Sequence, residues 1–178
     1  VGTELKGKTV GIVGVGAIGT RVAELFHAFG CTILGNKPDF TGTEPEYIKF
    51  MSLDELLSQS DIVSLHCPLN DSSRGLINAG NIAKMKQGAL LINAARGPVV
   101  DSQALADALN SGRLGGAGID VFEVEPPLAL DHPLLHSKNT IVTPHVAFAS
   151  KESMEARCQI VFLSLDKWMA GEQVNVIL

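Results

Sequence analysis

Thr9–Phe29 reads TVGIVGVGAIGTRVAELFHAF, and the order of its parts decides the fold. An apolar run, Thr9–Val13, meets Gly14-Val15-Gly16-Ala17-Ile18-Gly19, and residues with helical apolar spacing follow. The first part predicts a β-strand. The last predicts an amphipathic helix whose Val22, Leu25, Phe26 and Phe29 face a sheet, with Gly30 ending it. In a chain with 18 glycines the G-x-G-x-x-G hexapeptide alone is a weak signal. A strand before it and a helix after it distinguish a dinucleotide-binding turn from a merely structural one. In that setting Gly14 permits the tight turn, Gly16 leaves room for a pyrophosphate, and Gly19 lets helix and strand pack closely. Unpaired N–H groups and the positive end of the helix dipole then face the phosphates.

Outward from this unit, strand and helix patterns alternate to the end. Strands are predicted at Cys31–Gly35, Asp61–His66, Ala89–Asn93, Leu114–Val121 and Thr140–Thr143. Helices are predicted from Ser52, capped by its own side chain with Glu55 closing a capping box, then over Asn78–Lys86, Asp101–Asn110 and Ser150–Ala170. Thr41–Phe50 reads as a polar connection. Leu128–Asn139 reads as a long loop with His132 and His136 solvated. His27 and His66 read as structural histidines. In the closing helix Met154, Cys158, Val161, Leu165 and Trp168 form an apolar stripe suited to a core or a subunit contact. Such alternation predicts an α/β fold, a doubly wound parallel sheet of Rossmann type, over residues 1–178.

Composition narrows the function classes. A hydrophobic content of 46% with few aromatics suits an aliphatic α/β core, and 178 residues suffice to bury one. A net charge of −5 with scattered basic residues argues against nucleic acid or an anionic membrane as partner. Cys31, Cys67 and Cys158 lack metal-ligand spacing, so no metal is expected and reduced thiols in a cytoplasmic protein are. No apolar run reaches the roughly 18 residues of a membrane span.

The ends of the later strands carry the chemistry. Ala94-Ala95-Arg96 follows one apolar strand, Asp120 through Glu125 follows another, and Pro144-His145 follows the last. In an open α/β sheet these ends share the crevice that holds the pyrophosphate. A histidine exchanges a proton with an oxygen near neutral pH, a carboxylate orients such a ring, and an arginine forks onto a carboxylate or polarises a carbonyl. Beside a nicotinamide, Arg96, Glu125 and His145 suit interconversion of a 2-keto and a 2-hydroxy acid by hydride transfer. At the end of the second strand, where NAD sites usually carry an acid, stand Asn36 and Lys37. Lys37 is either a solvated loop residue or an attraction for the 2′-phosphate of NADP, and Asp39 could supply the ribose contact.

GIVGVGAIG, HCPLN, LLINAARGPVVDSQAL, GAGIDVFEVEPP and HPLLHSKNTIVTPHVAFAS, in this order across nearly the whole chain, resemble the nucleotide-binding domain of the D-isomer-specific 2-hydroxyacid dehydrogenases. The resemblance implies Arg96 as the substrate-binding arginine, Glu125 as the acid paired to the histidine, and His145 as the acid/base. It implies a position near the nicotinamide carboxamide for Asp120, beside the pyrophosphate turn for Ile18, and bordering the adenosine for Pro68. Gly14, Gly16, Ala17, Gly19, Asn36, Lys37, Ala95 and His145 complete the expected cofactor contacts, with NAD and NADP both open. It further implies a homodimer and a separate substrate domain, absent from this stretch, so that the 178 residues alone are expected to bind dinucleotide and turn over little substrate. Glu125 separates the chain from formate dehydrogenases, similar proteins with glutamine there. Val146-Ala147-Phe148 resembles lactate-type members more than phosphoglycerate dehydrogenases, pointing to a small substrate. A nucleotide-sensing corepressor of the same fold is the alternative function. The histidine context at Thr143-Pro144-His145 does not fit an L-hydroxyacid dehydrogenase.

Overall fold

The computed structural model describes residues 2–39, 42, 44–124 and 127–175. They fall into two compact units, Val1–Pro144 and His145–Leu178. The first unit holds seven strands: β1 (Thr9–Val13), β2 (Thr32–Asn36), β3 (Ile48–Phe50), β4 (Ile62–Leu65), β5 (Leu90–Asn93), β6 (Gly116–Ile119) and β7 (Thr140–Val142). Its helices are α1 (Ala17–Ala28), α2 (Leu53–Gln59), α3 (Ala79–Lys84) and α4 (Ser102–Asn110). All strands pair in parallel, in the order β3-β2-β1-β4-β5-β6-β7. The order reverses between β1 and β4, and there ligands of open α/β sheets bind.

Alternation along the strands feeds two apolar layers. Val10, Ile12, Ile33, Ile48 and Ile62 pack with Ala23 of α1 on one face. Val13, Leu34, Val63, Leu65 and Leu91 pack with Leu56, Ile82 and Leu105 of α2, α3 and α4 on the other. Helices on both faces make the sheet doubly wound, as the sequence predicts.

The sheet-facing side of α1 differs from the expected one. Gly19 and Ala23 are buried, Val22 and Phe26 flank them, and Leu25 and Phe29 are exposed. The reason is the closeness of α1 to β1: a Cβ on Gly19 would lie 2.2 Å from the carbonyl oxygen of Gly14, so only small residues fit the line of contact. Gly30 does end the helix, with φ +81°. Thr41–Phe50 is more than a connection, because Ile48–Phe50 forms an edge strand beside β2 with Ile48 buried. Tyr47 just ahead of it stacks on His27 at 4.4 Å between ring centroids, which accounts for that histidine structurally. The predicted capping box of Ser52 and Glu55 forms at α2, and Asn78 and Asp101 cap α3 and α4.

The second unit consists of a short segment from His145 and a 19-residue helix, α5 (Lys151–Met169), capped by Ser150. No residue of α5 is buried, so Met154, Val161, Leu165 and Trp168 are not core positions.

Two glycine substitutions read the constraint at α1. Gly19→Ala, which puts a methyl against the Gly14 carbonyl, is expected to lower the melting temperature sharply. Gly118→Ala, whose Cβ meets nothing within 4 Å, is expected to leave it unchanged or raise it slightly. Equal effects of the two in thermal denaturation would contradict this packing.

Candidate dinucleotide and substrate site

A cleft of about 330 Å³ opens at the carboxyl ends of β1, β2 and β4. Gly14, Gly16, Asn36, Lys37 and Pro68, expected from the sequence as cofactor contacts, all line it. Gly14 has φ +93°, a left-handed conformation that favours glycine, and a Cβ there would lie 2.4 Å from the backbone nitrogen of Cys67. The turn is thus pressed onto the segment that follows β4. Its other side is tied to β2 by the Gly14 N–H, which donates to the Asn36 carbonyl at 2.9 Å. Gly16 differs from both its partners: a Cβ there would meet no atom within 4 Å. Gly16 is also the N-cap of α1 and caps with no side-chain hydrogen bond, and no acidic residue occupies the first turn. The amino end of a 12-residue helix therefore lies uncapped at the cleft. Ala17 and Ile18 of that first turn are exposed, Ile18 at 71%. A tight turn, empty space beside Gly16 and unsatisfied helix N–H groups fit a pyrophosphate.

The wall of the cleft is neutral where it could have been reactive. His66 pairs through Nε2 with the Ser64 hydroxyl at 2.9 Å, and burial pushes its pKa down, so the ring is uncharged at neutral pH. Burial likewise pushes the Cys67 thiol up, away from the thiolate. Lys37 is not a free cation. Its ammonium lies 2.8 Å from the Glu44 carboxylate, with the lysine side chain 27% and the glutamate 7% exposed.

Further along the same sheet edge, β5 and β6 end beside one another and present Arg96 and Asp120. Asn93, a buried residue at the end of β5, holds the arginine's loop. Its side-chain N–H donates to the Arg96 carbonyl at 3.1 Å, and its oxygen accepts from the N–H of Ala95, itself buried, at 3.1 Å. The Arg96 side chain is exposed and folds back onto the Ala95 carbonyl at 2.6 Å. Asp120 is buried and accepts from the Thr143 hydroxyl after β7. Gly97 closes the gap between the loops, since a Cβ there would lie 1.9 Å from the carbonyl carbon of Phe122. Glu125 lies outside the described residues.

Just before it, Glu123 accepts from the Ser102 hydroxyl at 2.9 Å and from His132 Nε2 at 3.2 Å. His132 Nδ1 accepts from the Leu134 N–H, which puts the ring proton on Nε2. Burial raises the Glu123 pKa, but hydrogen bonds from its own backbone, Ser102 and His132 more than offset this and hold it below the usual carboxylate range. The expectation of a solvated His132 is thus corrected: it is buried, with a carboxylate partner and its ring edge-on to Phe122. His136 is exposed, as expected.

His145 opens the second unit with φ +56°. Its ring meets Phe148 edge to face at 5.9 Å, and Arg157 lies over the Phe148 ring at 5.6 Å. Glu44, Asn93, Thr143 and the Ser102–Glu123–His132 cluster escaped the sequence reading. Of these only the position of Asn93, at the end of an apolar strand, carried a usable signal. Among the described residues no cluster could hold a metal ion, and no helix is long and apolar enough to cross a membrane.

A family model described as D-isomer specific 2-hydroxyacid dehydrogenase, NAD binding domain, matches residues 1–147. The chain belongs to this family. Hydroxypyruvate reductase of Blautia hydrogenotrophica is 43% identical over 175 residues, covering 98% of this chain and 54% of the relative. D-lactate dehydrogenase from Lactobacillus jensenii, solved with NAD+, superposes with a TM-score of 0.91 at 32% identity, over all of this chain and 57% of that one. An acyclic imino acid reductase solved with NADPH and D-Arg gives 0.89 at 32% identity, over all of this chain and 56% of that one. The chain thus spans about half the length of the relatives it matches, and solved structures holding either dinucleotide share its fold.

The buried His66 gives the fold a pH dependence. Its folded pKa lies below its unfolded one, so its contribution is fully present above the unfolded value, near 6.5, and is lost as pH falls through the folded value. Denaturant titrations are expected to show stability declining below about pH 6.5 with a slope that His66→Gln reduces. An unchanged slope in the variant would contradict this environment for the ring.

Proposed function

We propose that this chain is the cofactor-binding and catalytic half of an oxidoreductase that interconverts a 2-keto acid and a D-2-hydroxy acid. The observation that carries the reading is the uncapped α1 amino end beside the open Gly16, at the point where the strand order reverses. Its membership of a dehydrogenase family supports the same reading. A bound nicotinamide dinucleotide supplies or accepts the hydride at the substrate's C2. The α1 N–H groups and Gly14–Gly19 would hold its pyrophosphate, with Ile18 beside that turn, Pro68 bordering the adenosine and Asp120 near the carboxamide. Ala95 and Asn36 shape the adjoining strand ends.

Arg96 forks onto the substrate carboxylate or polarises its keto oxygen. It is exposed and, among the described residues, its side chain is held to the Ala95 carbonyl alone, so it can turn to a ligand at little cost. His145 gives a proton to the keto oxygen in reduction and takes it back in oxidation, with Glu125 orienting the ring. Phe148 beside His145 suits a small substrate side chain, in line with the relatives named for hydroxypyruvate and lactate.

The intact protein is expected to oxidise NADH or NADPH with glyoxylate, hydroxypyruvate or pyruvate. His145→Ala is expected to lower kcat by about 10²- to 10⁴-fold. Arg96→Ala is expected to raise KM for the keto acid. A wild-type protein that binds the dinucleotide yet reduces none of these acids would overturn the assignment.

A further inference from the structure

Lys37 lines the dinucleotide cleft, yet its charge is already committed. Its ammonium sits 2.8 Å from the carboxylate of Glu44, seven residues on, and that carboxylate is almost wholly buried at 7% exposure. Asp39, also in the lining, adds a second carboxylate. Lys37, Asp39 and Glu44 together carry +1 − 2 = −1. Resting on the reading that this cleft binds a nicotinamide dinucleotide, we propose that Glu44 sets the cofactor preference by withholding Lys37 from a 2′-phosphate, making the site selective for NAD(H).

The two cofactors differ only at the adenosine 2′ position, by a neutral hydroxyl or a phosphate monoester of charge about −1.5 to −2 at neutral pH. To recruit Lys37, the phosphate must draw the ammonium off a buried carboxylate, a costly exchange in a poorly solvated place. Without Lys37 the phosphate meets a net negative surround. The ribose hydroxyls of NAD carry no such penalty, and carboxylates are good acceptors for them. A lysine at the end of β2, read alone, points to NADP; the same lysine with its buried counterion points the other way. Glu44 touches no cofactor in this account and acts through Lys37.

Equilibrium titration of the chain with NADH and with NADPH, followed by fluorescence or calorimetry, tests this without turnover. Wild type is expected to bind NADH at least about tenfold more tightly. Glu44→Gln, which frees the ammonium, is expected to tighten NADPH by about tenfold or more and to leave NADH within about threefold, with a gain that fades as salt rises. Lys37→Met combined with Glu44→Gln is expected to abolish that gain. Wild type that binds NADPH as well as NADH overturns the proposal even if no variant folds. So does a ratio that Glu44→Gln leaves unchanged, or a gain that survives in the double variant. Absence of binding by either dinucleotide would instead overturn the functional reading, and this inference with it.

Discussion

The approach of α1 to β1 is the constraint on which the rest depends. Gly19 lies so near the Gly14 carbonyl that no side chain fits between them. This closeness fixes where α1 starts, directly above the end of β1. It also selects Ala23 over a larger residue at the next contact and leaves Leu25 and Phe29 outside. Gly14 in turn rests on the backbone at Cys67, locking the turn to β4 across the sheet's switch point. The amino end of α1 is therefore held rigidly over a cleft it did not need to cap. A site prepared in this way spends little ordering energy when an anion arrives.

The same economy of space recurs at the second half of the sheet edge. Gly97 packs against the Phe122 carbonyl, and Asn93 secures the turn that carries Arg96. Glu123, tied to Ser102 and His132, fixes the segment after β6. The loop that carries Arg96 and the segment after β6 are both braced by polar contacts with buried residues, while the Arg96 side chain itself is exposed. Rigid supports under an adaptable cation suit recognition of a small carboxylate.

Much of this was legible in the chain. The glycine turn, the alternating strands and helices, and the Ser52–Glu55 capping box are local signals, and they hold in the structure. What was not legible depends on distant partners. Ile48–Phe50 is too short to announce itself as a strand and exists because β2 offers an edge. His132 looked solvated because Glu123, its partner, is nine residues away and no spacing rule links them. Lys37 is the sharpest case, since its ion-pair partner is a carboxylate seven residues on that no local pattern links to it. The family match covers residues 1–147 and assigns them to an NAD binding domain, which the fold alone does not do.

Gly16→Ala tests the central claim most directly. Its backbone, at φ −97°, is open to any residue, and the added methyl would touch nothing within 4 Å in the free protein. The account predicts an unchanged melting temperature together with a loss of dinucleotide affinity of about tenfold or more, because the methyl occupies the space reserved for the pyrophosphate. Undiminished affinity in a normally folded Gly16→Ala protein would contradict it.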